Sequence, residues 1–214
     1  EGCVSMIPKI LFIGLGGIGS NLLDLIVPAL NICSLKVDIS IMDDDIVEED
    51  NIGHQRFTLS DIGTSKALSL SRRLSDYEHV KIIPIEEKLS KASQLNGYDL
   101  IIVAVDRMAP RQLVHSSTTE WLDLRCQGDG YVVIDNQTSK AVIDSLPGNN
   151  MPTSCQIDGS KDFQNIEFGF SMCATIGAQW ILQKVRILNG YNTSTPTFRM
   201  GSISDGELCL PGGV

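Results

Sequence analysis

The chain has no surplus of positive charge, no closely spaced cysteine pairs and no unbroken hydrophobic run of membrane length, and each absence removes a class of function. Lys and Arg number 17 against 26 Asp and Glu, a formal net charge of −9. An acidic surface repels phosphate backbones, which excludes nucleic-acid binding as the main activity. The six cysteines, Cys3, Cys33, Cys126, Cys155, Cys173 and Cys209, form no CxxC or CxxH pair. Neither a zinc knot nor a small disulfide scaffold is signalled. No zinc is expected, and the thiols read as reduced, in a cytoplasmic protein. The least polar stretch, Ile10 to Leu30, is interrupted by Gly14, Gly16, Gly17, Gly19, Ser20, Asn21, Asp24 and Pro28, so no membrane segment is expected. The chain opens Glu1-Gly2-Cys3 and meets its first cation at Lys9, unlike a secretory signal. Internal repeats and low-complexity segments are also lacking.

What remains is an ordinary globular composition, 43% hydrophobic and 20% charged over 214 residues, enough for one α/β-sized unit with a large core. Lys9 to Gly14 (KILFIG) is an apolar run too brief for a helix. It ends in a glycine cluster, and Ile18, Leu22, Leu23, Leu25 and Ile26 come next at helical spacing, which predicts strand, tight turn, helix. Lys36 to Asp43 alternates, with Val37, Ile39 and Ile41 on one face, and predicts a second strand running into three consecutive acids. Asp61 to Ser65 starts a helix carrying Ala67, Leu68, Leu70 and Leu74. Val80 to Ile85 and Leu100 to Val105 predict strands, the latter apolar throughout, as a central parallel strand would be. Pro110 to Leu124 predicts a helix, and Tyr131 to Asp135 with Lys140 to Ile143 two strands around a turn. Residues 147–165 read as a mobile loop, Ser171 to Leu188 as a helix, and Thr195 to Cys209 as a hairpin around Asp205-Gly206. Trp121 and Trp180 fall on helical patterns and read as packing residues, as do Cys33 and Cys173; His79 and His115 read as surface or helix-end residues. Alternating strands and helices predict an α/β, Rossmann-like, open and mainly parallel sheet with helices on both faces and a small C-terminal β extension.

The first turn, Gly14-Leu15-Gly16-Gly17-Ile18-Gly19, is a GxGxxG placed directly after a strand and before a helix. Glycines let backbone approach phosphates, and the helix start offers unpaired N–H groups. Asp43, ending the second strand, is placed to accept the ribose hydroxyls of a nucleotide lying over that turn. To this point the pattern also suits an NAD-dependent oxidoreductase.

The segment after the second strand breaks that tie. Asp43-Asp44-Asp45-Ile46-Val47-Glu48-Glu49-Asp50-Asn51-Ile52-Gly53-His54-Gln55-Arg56-Phe57, and then Asp61-Ile62-Gly63-Thr64-Ser65-Lys66, resemble the ThiF/MoeB/HesA superfamily of ubiquitin-activating-type adenylyltransferases, whose pattern is DxDxVxxxNLxRQ and then DxGxxK. Asp106-Arg107-Met108-Ala109-Pro110-Arg111 is similar to its metal-binding DNxxxR segment. The resemblance covers about residues 9–190. It implies one adenylation domain over 1–214, with a nucleotide-binding core at 9–145, the loop at 147–165, and a C-terminal helix and hairpin at 167–214. It further implies ATP with Mg²⁺ and adenylation of the C-terminal carboxylate of a small ubiquitin-like or sulfur-carrier protein with a flexible tail. Such enzymes are commonly homodimers that complete the site across the interface.

Carried onto this sequence, the resemblance gives Gly14, Gly16, Gly17, Gly19, Asp43 and Asp45 to nucleotide binding. Asn51 and Gln55 would orient the phosphates, Lys66 would neutralise charge on departing pyrophosphate, and Asp106 would ligate Mg²⁺. His54 stands where the family has arginine and cannot make a guanidinium's bidentate phosphate contact; Arg56 is the candidate substitute. Arg107 replaces the metal segment's asparagine. Cys155, in the predicted loop, is a candidate covalent acyl acceptor, as in relatives that form a thioester. Two alternatives stay open: a nucleotide-binding scaffold that has lost catalysis through His54, and the oxidoreductase, which explains neither Asn51, Gln55 nor Lys66.

Overall fold

Short apolar strands separated by helices assemble into an eight-stranded sheet, seen in a computed structural model that describes residues 7–146, 164–196 and 198–208. In chain order the elements are β1 (Lys9–Ile13), α1 (Gly17–Ile32), β2 (Val37–Met42), α2 (Lys66–Arg73), β3 (Val80–Ile85), β4 (Leu100–Val103), α3 (Met108–His115), β5 (Glu120–Gln127), β6 (Gly130–Asp135), α4 (Lys140–Ser145), α5 (Gly169–Leu188), β7 (Arg199–Ser202) and β8 (Gly206–Leu208). Across the sheet the order is β3-β2-β1-β4-β5-β6-β7-β8. The first five strands are parallel, and β6, β7 and β8 add antiparallel. The chain steps outward from β1 through β2 to β3, then returns to place β4 on the other side of β1. The carboxyl ends of β1, β2 and β4 therefore bracket a topological switch point, where an open sheet leaves a crevice.

β1 is buried on both faces. Ile10 and Phe12 join the cluster containing α1, α2 and α5, whereas Leu11 and Ile13 join the cluster reached by Val114 of α3 and Ile143 of α4. On α1, Ile18, Leu22, Leu23, Ile26, Val27 and Leu30 are all buried against the sheet and α5, each contributing about 1.5–3 kcal/mol. Across the sheet, Trp180 of α5 donates its Nε1–H to Asp135 Oδ2 at 3.0 Å, satisfying a buried polar tip. β3 forms one edge and carries Pro84 opposite Ile41. A proline is tolerated there because its missing N–H faces away from β2. No helix among the described residues is long and apolar enough to cross a membrane.

Three local expectations are corrected. The helix expected over Pro110 to Leu124 stops at His115, and Glu120–Gln127 is β5, so Trp121 packs from a strand. The run Ser116-Ser117-Thr118-Thr119 ends the helix, its hydroxyls competing for backbone partners: Ser116 Oγ donates to Gln112 O at 2.8 Å, and Ser117 Oγ accepts from Thr119 N at 3.0 Å. Lys140 to Ile143 is helical rather than a strand, with Ser139 Oγ accepting from Val142 N as its N-cap. Cys33 is exposed at the end of α1, not buried, while Cys173 is buried. Most of the loop expected at 147–165, together with Cys155, lies outside the described residues. The hairpin expected near Asp205-Gly206 forms β7 and β8 and extends the main sheet.

The turn between β1 and α1 tolerates little. Gly14 has φ +92°, and a Cβ there would lie 2.6 Å from Ala104 O. A Cβ on Gly19 would fall 2.0 Å from Gly14 O, so the helix can approach the strand only without a side chain. Gly19→Ala is expected to cost on the order of 3 kcal/mol or more, read as a lower urea midpoint; an unchanged midpoint would contradict this packing.

Candidate active site

Two loops are fastened over the switch point by one carboxylate. Asp43, just past β2, accepts from Leu15 N at 2.6 Å through Oδ2 and from Asp45 N at 2.9 Å through Oδ1. The glycine turn and the acidic loop are thereby held together. Burial pushes the Asp43 carboxyl up, and the amide bonds from Asp45 and Leu15 with nearby Lys66 pull it back. The start of α2 is tied to the same loop, because Lys66 N donates to Asp45 O at 3.0 Å and Lys66 Nζ meets Asp45 Oδ2 at 3.1 Å. Lys66 is a buried cation on the wall of a cleft of about 290 Å³.

That cleft brings together Gly14, Gly16, Gly17, Asp43, Asp45, His54, Gln55, Lys66 and Asp106. Gln55 lies over the glycine turn, its Nε2 4.0 Å from where a Gly16 Cβ would stand. Its buried Oε1 has no partner among the described protein atoms. His54 Nε2 is 3.4 Å from Gln55 Nε2, with Phe170 at the edge of its ring. Asp106 comes after β4, exposed, with Arg107 Nε at 4.0 Å. Asp43, Asp44 and Asp45 offer carboxylate oxygens within 4.8 Å of one another.

Other expected site residues are placed elsewhere. Asn51 does not line the cleft; its Oδ1 accepts from Glu48 N at 2.8 Å within its own turn. Arg56 does not reach across to take the missing arginine's place. Its Nε donates to Asn21 Oδ1 at 2.7 Å and its backbone N donates to Ser20 Oγ at 3.0 Å, so it braces the loop on α1. Asn21 completes that brace by donating to His54 O at 3.0 Å. The kink in the loop, including Gly53 at φ +99°, turns residues 54 and 56 in different directions. Gly19 packs beneath the turn rather than lining the cleft. Unforeseen wall residues are Met42, Glu87, Lys88, Leu89, Ala104 and Val105, of which Met42, Leu89, Ala104 and Val105 supply an apolar side. Glu87, Lys88 and Leu89 lie just past β3 with no motif to mark them.

The ThiF family matches residues 6–205. The chain belongs to the ThiF family. Among curated proteins, the ATP-dependent ubiquitin transferase-like protein Cap2 of Escherichia coli (strain TW11681) is 34% identical over 111 residues, 50% of this chain and 19% of Cap2. Among solved structures, PaaA superposes with TM-score 0.65 at 17% identity, covering 92% of this chain and 61% of PaaA. E. coli MccB, solved with AMPCPP and MccA, gives TM-score 0.67 at 16% identity over 94% of this chain and 63% of MccB. MccB solved with ATP gives 0.61 at 15% over 94% and 63%. At these identities the solved structures share the fold. The chain spans about a fifth of Cap2 and under two thirds of PaaA and MccB.

In this ThiF-family chain, Arg111, the last residue of the DNxxxR-like segment, belongs to a buried charge cluster whose other members no motif marked. Asp123 of β5 is fully buried, pairs with Arg111 of α3, and accepts from Arg125 Nε at 3.0 Å and Nη2 at 2.8 Å. Arg111 also donates to the carbonyls of Val105 and Leu124, fixing the backbone just before Asp106. The signal available was Asp123 and Arg125 two apart on one strand face, hidden by the helical reading of that segment. His115 stacks on Trp121 and places Nε2 3.0 Å from Asp123 Oδ2. Burial, then the charges of Arg125 and Arg111, lower His115 from 6.5 to about 4. Between pH 6.5 and pH 4 the unfolded chain takes up a proton that the folded chain refuses. Stability is therefore expected to fall as pH falls through that window, by up to about 3 kcal/mol. Urea unfolding at pH 7 and pH 4.5 checks this: His115→Gln should flatten the loss, and an equally steep loss would contradict it.

Proposed function

We propose that this chain is an ATP-dependent adenylation domain that activates the C-terminal carboxylate of a small protein or peptide. The single observation that carries the reading is the convergence of Gln55, Lys66 and Asp106 with the glycine turn in one cleft at the switch point. MccB, which shares this fold, has been solved with ATP and with AMPCPP and MccA, and Cap2 is described as ATP-dependent. Both support a nucleotide in this cleft and a protein or peptide acceptor; a small ubiquitin-like or sulfur-carrier protein is the finer expectation.

The glycine turn and the start of α1 present backbone N–H groups to phosphate oxygens. Asp43 holds that turn in place and has lone pairs left for ribose hydroxyls. Gln55 offers its amide to the phosphates, and the buried Lys66 counters charge on the leaving group. The residues present suit Mg²⁺: Asp106 is an open carboxylate beside the phosphate region, and Asp45 is largely exposed, matching a hard cation that keeps several waters. When bound, such an ion neutralises phosphate charge and helps orient it. The acceptor carboxylate oxygen attacks the α-phosphorus in line, the bond from that phosphorus to the bridging oxygen breaks, and pyrophosphate leaves with the negative charge. Alignment supplies most of the rate. Pairing of two such chains remains part of the proposal.

Isothermal titration should show ATP bound in preference to NADH, and Lys66→Ala should weaken ATP by roughly 10- to 100-fold, the loss expected for a charge-assisted contact. Pyrophosphate exchange into ATP should require an acceptor with a free C-terminal carboxylate and fall by about two orders of magnitude in Asp106→Ala. Preference for NADH, or ATP binding without exchange for any acceptor, would overturn the adenylation reading.

A further inference from the structure

A second cavity of about 430 Å³ opens beside the cleft at the switch point. Asp106, Arg111 and Cys126 line both, so the two spaces meet at the end of β5, next to the segment just past β4. The second space is built from different elements: Met108 at the start of α3, Val132 of β6 and Met200 of β7, with Gln127, Ser202 and Asp205 around it. Val132 and Met200 are register partners on adjacent antiparallel strands, so their side chains stand together on one face. Both also pack on the core cluster of that face. A space with this lining suits an apolar group with polar contacts around it for backbone; the two guanidiniums that also line it, Arg111 and Arg125, are paired with Asp123.

We propose that this cavity receives a bulky apolar side chain from one of the last two residues of the acyl substrate. The inference rests on the adenylation reading, because what reaches the α-phosphorus through the shared wall is the substrate's carboxyl end. A tail ending in plain glycines leaves this space unfilled, whereas a phenylalanine or leucine side chain fills it while its carboxylate lies by Asp106. The cavity thus selects the acceptor by shape and apolar contact.

The test uses six-residue peptides with a free carboxylate, Ser-Ser-Gly-Ser-Xaa-Gly and Ser-Ser-Gly-Ser-Gly-Xaa, where Xaa is Gly, Leu, Phe, Lys or Asp. Binding is measured calorimetrically with and without the α,β-methylene analogue of ATP, and exchange is measured separately. In one series or both, Leu or Phe should bind at least about 10-fold tighter than Gly, as filling an apolar pocket allows. Met200→Trp and Met108→Trp, which fill the space from two different elements, should each remove that preference; circular dichroism verifies that each variant is folded. Equal binding of Gly and Phe, a preference for Lys or Asp, preference surviving in both folded variants, or no peptide binding at all overturns the proposal. Apolar preference without exchange sinks the adenylation reading and leaves the cavity assignment standing. Exchange without preference does the reverse.

Discussion

Asp43 is the joint on which the site depends. A carboxylate with one oxygen on the glycine turn and the other on the acidic loop sets the spacing between those two elements. Burying such a group is costly without compensating hydrogen bonds; here the two amides supply them, and the charge of nearby Lys66 adds to the compensation. The geometry of Lys66 is a consequence of this joint, because α2 begins where the acidic loop allows it to begin. A nucleotide entering the cleft therefore meets groups already in position, and little reorganisation is needed when charge develops.

Around that joint the sheet divides the work. Strands β1, β2 and β4 carry the glycine turn, Asp43 and Asp106, whereas β5 to β7 contribute the neighbouring cavity. The Asp123 cluster stands between the two and links α3 to β5. Its charges are buried and mutually dependent, so loss of one partner strands the others and is strongly destabilising.

Much of this was legible in the sequence where local pattern and global fold agree. The strand, glycine turn and helix from Lys9 onward, the alternating second strand and the apolar fourth strand all appear in place, because a buried parallel sheet demands those patterns of its central strands. The family motif drew Asp43, Gln55, Lys66 and Asp106 into one cleft across some 60 residues of chain. Legibility failed where side-chain direction depends on a kinked loop, as for Asn51 and Arg56, and where secondary structure switches without a glycine or proline, as between His115 and Glu120. The strand expected at Lys140 to Ile143 is instead helical because a run of three apolar residues, Ala141, Val142 and Ile143, suits a short helix as well as a strand. Glu87, Lys88 and Leu89 were illegible because nothing but the return of the chain past β3 brings them to the cleft.

The proline in β3 bears on how this edge of the sheet could pair with another strand. An open strand edge is a template on which another sheet can grow, and a residue with no hydrogen to donate interrupts that template. Lateral fusion of two sheets along this margin is thereby discouraged, and self-association is steered toward side-chain surfaces, where specificity comes from shape rather than from a generic backbone ladder.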